Sequence, residues 1–406
     1  MKRTLIVPLS SLFTALLLAG CGGGTSQTPN AYRLRYSFGA QGDGQTPNGG
    51  LVADAAGNLY GTTKRGGSAY GGTIFSLNAK TGAETVLYSF LQQDPTEGYK
   101  PNGPLTLDSA GKLYGTTAAG GTNGFGTAFT LDPTSQAKTV LWGFGAGSND
   151  GAYPGSPLLS DAQGDLFGTT ENGGPAETGT VFEIKAGTST ATVIATFGDP
   201  ATGAAADPTG QLAMDANGNL YGTSQAGGTG NRGTVWEVAG ANSASPQSLK
   251  VLHSFTGQPS DGTAPVGGVV LDATQTILYG TTEYGGTNGT GTVFSVATDG
   301  SASNMVYAFG NASGNDGALP MAPLVMGSKG LLYGTTDQGG AGYGTVFSVD
   351  PASGSEKLLH AFGGFIAGDG ANPGRASLMI DASGQLVGVT RGGGKNDFGT
   401  VYSLAP

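Results

Sequence analysis

The chain has 406 residues, with 77 glycines, a single cysteine and a formal net charge of −10 at pH 7. The glycines do not fall at every third position, which excludes collagen. The recurring Leu, Val, Tyr and Phe supply a buried surface that a disordered Gly-rich chain lacks. The acidic charge repels phosphate backbones and argues against a nucleic-acid partner, and one Cys cannot form an intrachain disulfide.

The first thirty residues have the pattern of a bacterial lipoprotein leader. Two basic residues precede an apolar stretch at 5–18, which is too short to span a membrane comfortably. The stretch ends in Leu-Ala-Gly-Cys at 18–21, which resembles a lipobox, the signal whose Cys receives a diacylglycerol and whose leader is cut before it. The sequence therefore predicts a signal peptide over 1–20, lipidation of Cys21 and a flexible Gly/Ser/Thr tether over 21–30. An ordinary secretory leader with an incidental Cys is the alternative.

These features predict a location in the bacterial cell envelope. The lipid would hold the protein at a membrane, facing the periplasm or the cell exterior. Gly22, directly after the Cys, favours sorting to the outer membrane.

One pentapeptide recurs along the rest of the chain. Leu-Tyr-Gly-Thr-Thr at 59–63 returns six times, unchanged or slightly altered, and its central glycines are spaced by 54, 53, 54, 58, 54 and 54 residues. These glycines are Gly61, Gly115, Gly168, Gly222, Gly280, Gly334 and Gly388. A fixed period of this size indicates repeated supersecondary units.

Each unit has the pattern of four short antiparallel strands. In the first unit these are predicted over 50–54, 58–63, 72–77 and 84–90, separated by turns rich in Gly and Asp. β-Branched and aromatic residues are enriched within the strands, as expected for a sheet.

The two ends of the repeat region are complementary. It begins at 32–38 with a strand of the fourth type and stops after a strand of the third type at 400–404. A ring in which the N-terminal strand completes the last unit satisfies both ends and removes an exposed edge. Residues 31–406 are therefore predicted to form an all-β, seven-bladed β-propeller of four-stranded blades. A solenoid, which would leave both ends uncapped, is the alternative.

The repeat resembles the GloVer tandem-repeat family of bacterial surface proteins, whose members differ in their anchor. The resemblance rests on Asp-x-x-Gly-x-Leu-Tyr-Gly-Thr-Thr-x-x-Gly-Gly followed by Gly-Thr-Val-Phe, a pattern that has drifted in the last unit at 381–402. It covers nearly all of the chain after the leader. It implies the fold and a surface location, and it implies no activity and no catalytic residue.

The recurring polar residues predict structural roles before chemical ones. His253 and His360 share one repeat position with Tyr, Trp and Ala, which is unlike a catalytic base or a metal ligand. The sequence contains no nucleophile elbow and no phosphate-binding loop. A series of strand-end aspartates is predicted to cap turns. These are Asp54, Asp108, Asp161, Asp215, Asp272 and Asp381.

A second acidic series leaves two interpretations open. Its members stand four residues before a recurring Pro, in the loops that join one blade to the next, and unit four has Ala204 instead. They are Asp43, Glu97, Asp150, Asp261, Asp316 and Asp369. They could form turns, with Gly after the acid taking positive φ, or a ring of carboxylates on one rim that binds polar ligands or cations such as Ca²⁺. No other cofactor is predicted.

Residues after each Gly-Thr-Thr vary while the framework stays constant. On the same predicted face as the second acidic series, the candidates are Lys64, Arg65, Glu171, Glu283, Tyr284 and Arg391. Variable loops on a rigid scaffold are where binding residues concentrate. The sequence therefore predicts a monomeric binding module for a polysaccharide or protein partner. A structural or assembly protein of the surface and a glycan-active enzyme are the alternatives.

Overall fold

The computed structural model of the protein describes residues 32–92, 96–310 and 316–406. The predicted leader, Cys21 and the tether lie outside the described residues. Within the described ranges, none of the helices has the length and apolar character needed to cross a membrane.

The described chain forms seven small antiparallel sheets arranged as the blades of a propeller, each with four strands ordered from the centre of the ring outward. The second strands, which carry the recurring pentapeptide, are Leu59–Gly66, Leu113–Ala119, Leu166–Gly173, Leu220–Gly227, Ile277–Thr282, Leu332–Thr336 and Leu386–Thr390. Short extensions follow three of them at Tyr284–Gly285, Gln338–Gly339 and Gly392–Gly393. The third strands are Tyr70–Leu77, Thr127–Leu131, Thr180–Ile184, Thr234–Val238, Thr292–Ala297, Thr345–Asp350 and Thr400–Leu404.

The outer strands of blades 1 to 7 are, in that order, Glu84–Leu91, Lys138–Gly143, Ala191–Thr196, Lys250–Ser254, Ser303–Ala308, Ser355–Ala361 and the N-terminal Arg33–Ser37. Two short 3₁₀ helices, Pro200–Thr202 and Phe365–Ala367, lie in loops between blades.

The innermost strand differs from the prediction, because in six blades it is broken into two pieces. The first pieces are Gly44–Pro47, Tyr99–Pro101, Gly151–Pro154, Gly262–Thr263, Gly317–Ala318 and Gly370–Ala371. The second pieces are Val52–Ala53, Thr106–Leu107, Leu159–Ser160, Val269–Leu271, Val325–Met326 and Met379–Ile380. In blade 4 the strand Ala205–Met214 is continuous. Both pieces pair with the second strand, so the segment predicted as an inter-blade loop supplies half of the inner edge.

The ring is closed by the N-terminal strand, as predicted, and a solenoid is excluded. Arg33–Ser37 pairs antiparallel with the last strand, with Arg33 opposite Ser403 and Ser37 opposite Thr400. Phe38, which follows the closing strand, is fully buried in a cluster with residues of blades 1 and 7. Closure therefore removes the open edge of blade 7 and completes the apolar layer between the last and first blades.

The glycine at the centre of the pentapeptide is required by an aromatic ring of the neighbouring strand. A Cβ placed on Gly61 would lie 2.7 Å from the Phe75 ring and 2.7 Å from Leu51, closer than carbon atoms can approach. Gly61 and Phe75 are direct partners in the ladder. The same crowding recurs in every blade between the pentapeptide glycine and Phe129, Phe182, Trp236, Phe294, Phe347 or Tyr402.

The second Thr of the pentapeptide forms a buried pair across the same two strands. The hydroxyls of Thr63 and Thr73 are 2.8 Å apart, and each of the other six blades has an equivalent Thr–Thr or Ser–Thr pair. Such a cross-strand pair satisfies two hydroxyls in the dry interior.

The strand-end aspartates cap turns. Asp54 accepts hydrogen bonds from the backbone N–H of Ala56 and Asn58 and from the hydroxyl of Tyr60, which is the Tyr of the pentapeptide. The Asp, the Tyr, the Gly and the second Thr of the repeat thus have structural roles.

We expect removal of the closing strand to destabilise the whole ring. A chain beginning at residue 39 lacks Phe38, which is fully buried. Its unfolding free energy should fall by at least about 3–5 kcal/mol, the loss expected for one buried Phe. Thermal and denaturant unfolding, compared with a chain beginning at residue 22, would measure this. An unchanged melting temperature would refute the role of closure.

Candidate functional site

The loops between blades and the loops between second and third strands meet at one end of the ring, here called the loop face. The backbone N–H of Gly67, in the second-to-third loop, donates to the carbonyl of Asp43, in the inter-blade loop, at 2.7 Å. The equivalent bond recurs at Asp150, Ala204, Asp261, Asp316 and Asp369. The turns capped by the strand-end aspartates lie at the opposite end, here called the turn face.

The second acidic series is engaged by donors of the protein itself. Asp43 is buried and accepts hydrogen bonds from the backbone N–H of Gly39 and Gly44 at 2.9 and 2.6 Å. Asp150 likewise accepts from Ala146 and Gly151 at 2.9 and 2.8 Å. These contacts are those of a carboxylate that forms a turn.

The acids also bind a side chain of the preceding blade's outer strand. The Tyr36 hydroxyl donates to Asp43 at 3.0 Å, and His253 Nε2 lies 3.1 Å from an Asp261 oxygen. The five pairs are Tyr36 with Asp43, Tyr88 with Glu97, His253 with Asp261, Tyr307 with Asp316, and His360 with Asp369. The two histidines therefore bind the inter-blade acid, as tyrosine does in other blades.

The junction between blades 3 and 4 has lost both members of this pair together. Ala195 replaces the aromatic residue and Ala204 replaces the acid. Correlated loss across repeats is what a contact predicts, and it is visible in the sequence once the two positions are compared. At the junction between blades 2 and 3 the pair is also broken, because the buried Nε1 of Trp142 has no hydrogen-bond partner.

Across the residues that the structure describes, no three His, Cys, Asp or Glu side chains come together as a metal site. The members of the acidic series stand in different blades, and each is surrounded by its own donors. The turn-forming interpretation of this series therefore has direct geometric support, and a Ca²⁺ ring has none.

A second ring of residues on the loop face was not predicted. In every blade the residue before the inner-strand Pro is not glycine and has φ between +52° and +58°. These residues are Thr46, Lys100, Tyr153, Asp207, Ala264, Leu319 and Asn372. A residue before Pro is ordinarily extended, so the sequence argues against positive φ at these positions. The recurring Pro was the only signal in the sequence that set them apart.

The strained conformation is held by the preceding blade. The backbone N–H of Tyr153 donates to the carbonyl of Phe125, in the previous second-to-third loop, at 2.8 Å, and Thr46 is bound to Phe398 in the same way at 2.9 Å. Equivalent bonds hold Asp207, Ala264, Leu319 and Asn372. Seven chemically different residues thus share one constant and costly backbone geometry, and Lys100, Tyr153 and Asp207 among them have exposed side chains.

The variable residues after Gly-Thr-Thr divide between two sides of the second strand, because side chains alternate along a strand. The first of each pair faces the central channel: Glu171 lies against Gly155, and Arg391 lies against Gly374. Lys64 and Glu283 share this position, whereas Arg65 and Tyr284 occupy the alternate one. The predicted set therefore does not form one cluster.

Arg391 is committed to an ion pair. Its Nη2 lies 2.7 Å from Asp337 Oδ1, which also accepts from the backbone N–H of Gly374 at 3.0 Å. This pair joins blades 6 and 7 at the channel and leaves Arg391 less free to meet a ligand than Lys64.

The mouth of the central channel on the loop face carries unpaired basic side chains. Lys64, Lys100 and Arg375 are exposed there, with Arg65 on the alternate side of the strand, and none of the four makes an ion pair with another described residue. Partial burial, followed by repulsion from the other three cations, lowers the pKa of Lys64.

Acidic groups stand across the mouth from these cations. Burial raises the pKa of Glu171, with Arg375 opposing and Asp207 reinforcing that shift. Burial also raises the pKa of Asp207. The mouth is therefore polarised, with a basic side formed by blades 1, 2 and 7 and an acidic side formed by blades 3 and 4. Lys100, Asp207 and Arg375 were not among the predicted residues.

The channel runs along the inner edges of the seven blades. At the mouth its lining includes Asn48, Asn102, Gln211, Arg375 and Ser377 around a cavity of about 50 Å³. Further along, the inner strands of blades 1, 2, 3, 4 and 7 line a second cavity of about 230 Å³, which shares Gln211 and Ser377 with the first.

Exposed aromatic side chains lie on the loop face. Phe125 and Tyr153 pack edge to face with ring centroids 5.4 Å apart, and both are more than a third exposed. Tyr70, Tyr284, Tyr343 and Phe398 are also exposed on this face. Aromatic and basic residues together are typical of recognition surfaces.

The repeat pattern of the Gloeobacter/Verrucomicrobia repeat family matches residues 23–236 and 200–402. The protein belongs to this family. The match covers nearly the whole repeat region, in agreement with the constant residues described above. No curated protein sequence matches the chain.

Solved structures share the fold at very low sequence identity. An oligogalacturonate lyase from Vibrio parahaemolyticus is 9% identical with a TM-score of 0.55, and the alignment covers 94% of each chain. An oligogalacturonate lyase in complex with manganese is also 9% identical with a TM-score of 0.55, covering 93% of this chain and 96% of that one. A puromycin-hydrolyzing peptidase of Mycobacterium tuberculosis is 12% identical with a TM-score of 0.54, covering 87% of this chain and 50% of that one. At these identities the likeness concerns the propeller alone.

We expect Asp43 and Tyr36 to be energetically coupled, since their side chains share a hydrogen bond at 3.0 Å. Unfolding of Asp43→Asn, Tyr36→Phe and the double variant should give a coupling energy of about 0.5–3 kcal/mol. Tyr70→Phe, at a residue that is 71% exposed, is the control and should leave stability unchanged. Zero coupling would show that the acid does not depend on this partner.

Proposed function

We propose that this protein is a lipid-anchored, extracytoplasmic binding module that recognises a polysaccharide or protein partner on its loop face. The observation that carries the proposal is the ring of seven non-glycine residues held at positive φ. Backbone strain of this kind costs of order 1–3 kcal/mol per residue, persists only where the surrounding structure holds it, and is concentrated at functional sites. Here it presents side chains that differ in every blade.

The contrast between framework and face supports this proposal. The constant residues of the repeat make contacts within the blades. They form the aromatic–glycine contact, the Thr pair and the turn-capping Asp. The residues at the channel mouth are the ones that vary. A partner that binds there would meet Lys64, Lys100 and Arg375 on one side and exposed aromatic rings around them.

The chemistry of the mouth favours a partner with anionic groups. The chain is acidic overall, so a local cluster of cations without ion pairs differs from the average charge of the surface. Such a cluster attracts anionic groups. Rings such as Phe125 and Tyr153 offer flat apolar surface beside those cations.

A role in surface assembly is a second candidate. Phe365 and Ile366, in the loop between blades 6 and 7, are 51% and 93% exposed, and Tyr343 lies beside Gly364 in the same loop. An exposed apolar group of this kind favours contact with another protein.

We expect the binding site to be lost when the basic side of the mouth is removed. Lys64→Ala combined with Lys100→Ala and Arg375→Ala should weaken binding at least tenfold on a glycan array or to a captured protein partner. The matched control, Lys80→Ala with Lys112→Ala, removes two cations from turns of the turn face and should bind normally.

The array should be read together with a turnover assay. Binding without turnover is the expected result. Turnover would favour the glycan-active enzyme, and equal binding by the mouth variant and its control would place recognition elsewhere.

We expect Cys21→Ala to release the protein from membranes, because the diacylglycerol has no other attachment point in a chain with one Cys. Fractionation of cells that produce each form would measure this, with Ser26→Ala as a control in the same tether. Unchanged membrane retention of the Cys21 variant would rule out the lipid anchor.

A further inference from the structure

A slot between adjacent blades recurs around the ring and is filled differently each time. Its walls are the aromatic or His residue of the preceding outer strand, the inter-blade acid, and the Phe of the third strand. Its occupant lies at or next to the start of the blade's own outer strand and faces the end of the third strand, as Glu84 faces Leu77 and Ser303 faces Val296. In blades 1 to 7 the occupants are Glu84, Lys138, Ala191, Leu249, Ser303, Glu356 and Tyr32.

In blade 2 the slot holds an ammonium group. The Lys138 side chain is only 2% exposed, and its Nζ lies 3.6 Å from the Glu97 carboxylate and 3.0 Å from the Glu97 carbonyl. The same Nζ stands 5.1 Å from the centre of the Tyr88 ring, 5.5 Å from Phe90 and 5.8 Å from Phe129. A carboxylate, a carbonyl and aromatic faces form a cage for a cation.

Other blades close the slot with different groups. In blade 7 the Tyr32 ring stacks on His360, with centroids 4.0 Å apart and planes 4° from parallel. In blades 1 and 6 a glutamate occupies it. Burial and the neighbouring Asp43 raise the pKa of Glu84 to about 7, and burial and Asp316 raise the pKa of Glu356 to about 7. In blades 3 and 4, where the acid pair is broken, Ala191 and Trp142 pack against one apolar cluster, and Leu249 and Ala195 pack against another.

In blade 5 the walls of the slot are present, but its occupant, Ser303, is too small to fill it. His253, Asp261, Phe255 and Phe294 stand where blade 2 has Tyr88, Glu97, Phe90 and Phe129, and Ser303 replaces Lys138. The place of the missing side chain is a cavity of about 220 Å³, lined by His253, Asp261, Phe294, Ser295 and Ser303. That volume exceeds what a few water molecules fill.

We propose that the slot between blades 4 and 5 binds a primary alkylammonium group, with its charge against Asp261 and its stem along Phe294. The ligand is a small amine or a lysine side chain of another molecule, since both carry this group. The site stands apart from the channel mouth and is independent of the binding proposed there.

The polar groups of the slot suit such a cation. Burial opposes the charge of Asp261, but hydrogen bonds from His253 and from the backbone N–H of Thr256 and Gly262 together hold its pKa below the usual range. The Asp261 carbonyl accepts one bond, from Gly286 at 2.8 Å, and has a second lone pair for an ammonium, as the Glu97 carbonyl does for Lys138.

Isothermal titration with n-butylammonium chloride at low ionic strength tests the proposal, because salt screens the attraction. Saturable binding is expected, and 1-butanol, which has the same stem without the charge, should bind at least tenfold more weakly. Equal binding of butanol, or no binding of the ammonium, would overturn the proposal.

Ser303→Lys is the decisive variant, because it places the chain's own ammonium in the slot as in blade 2. It should abolish butylammonium binding and raise the melting temperature, while Ser245→Lys, in an exposed turn, should change neither. Asp261→Asn should weaken binding at least tenfold. Retained binding in Ser303→Lys would contradict the assignment.

A reverse variant keeps the test independent of the stability of the Asp261 loop. Lys138→Ala empties the slot of blade 2 and should lower the melting temperature, and butylammonium should restore part of that loss. N-acetyl-lysine amide distinguishes the two sources. Tighter binding than butylammonium assigns the slot to a protein lysine, and weaker or equal binding assigns it to a small amine. Failure of rescue in Lys138→Ala would show that the cage does not select an ammonium.

Discussion

The contact between an aromatic ring and a glycine across the second and third strands is the constraint on which the propeller depends. The Phe75 ring lies directly over Gly61. Only glycine fits at that position, because any Cβ there would collide with the ring. The buried rings then form the apolar layers between blades, such as the one shared by Phe38, Leu51 and Phe75. Seven copies of this contact explain why one pentapeptide recurs along the whole chain.

Around this constant frame, the repeat concentrates variation in two places. One is the channel mouth, where a strained but uniform backbone carries a different side chain in each blade. The other is the inter-blade slot, where the occupant is in turn a Tyr, a Glu, a Lys, a Leu or a residue too small to fill it. In both places a rigid scaffold holds a position while its chemistry changes, which is how one architecture acquires separate sites.

The acidic series shows how a pattern in the sequence can be correct in position and still serve the fold. Six acids recur at one offset from a Pro, and the structure places each of them in a separate inter-blade loop. The five aspartates accept hydrogen bonds from backbone N–H groups, and five of the six acids bind a Tyr or His of the preceding blade. A buried carboxylate with three donors stabilises a loop, because an unmatched charge there would be costly.

The sequence by itself determined the number of blades, their four strands, the closure of the ring and the turn-capping aspartates, because these depend on local period and on which residues recur. It could not determine the break in the inner strand, the positive φ before each Pro or the paths of Lys100 and Arg375 to the channel mouth. Those features arise from hydrogen bonds and packing between blades, as when Phe125 of one blade fixes Tyr153 of the next. The slot at Ser303 could not be predicted from the sequence either. A small residue leaves a cavity only where the surrounding walls stay in place, and here two blades contribute those walls.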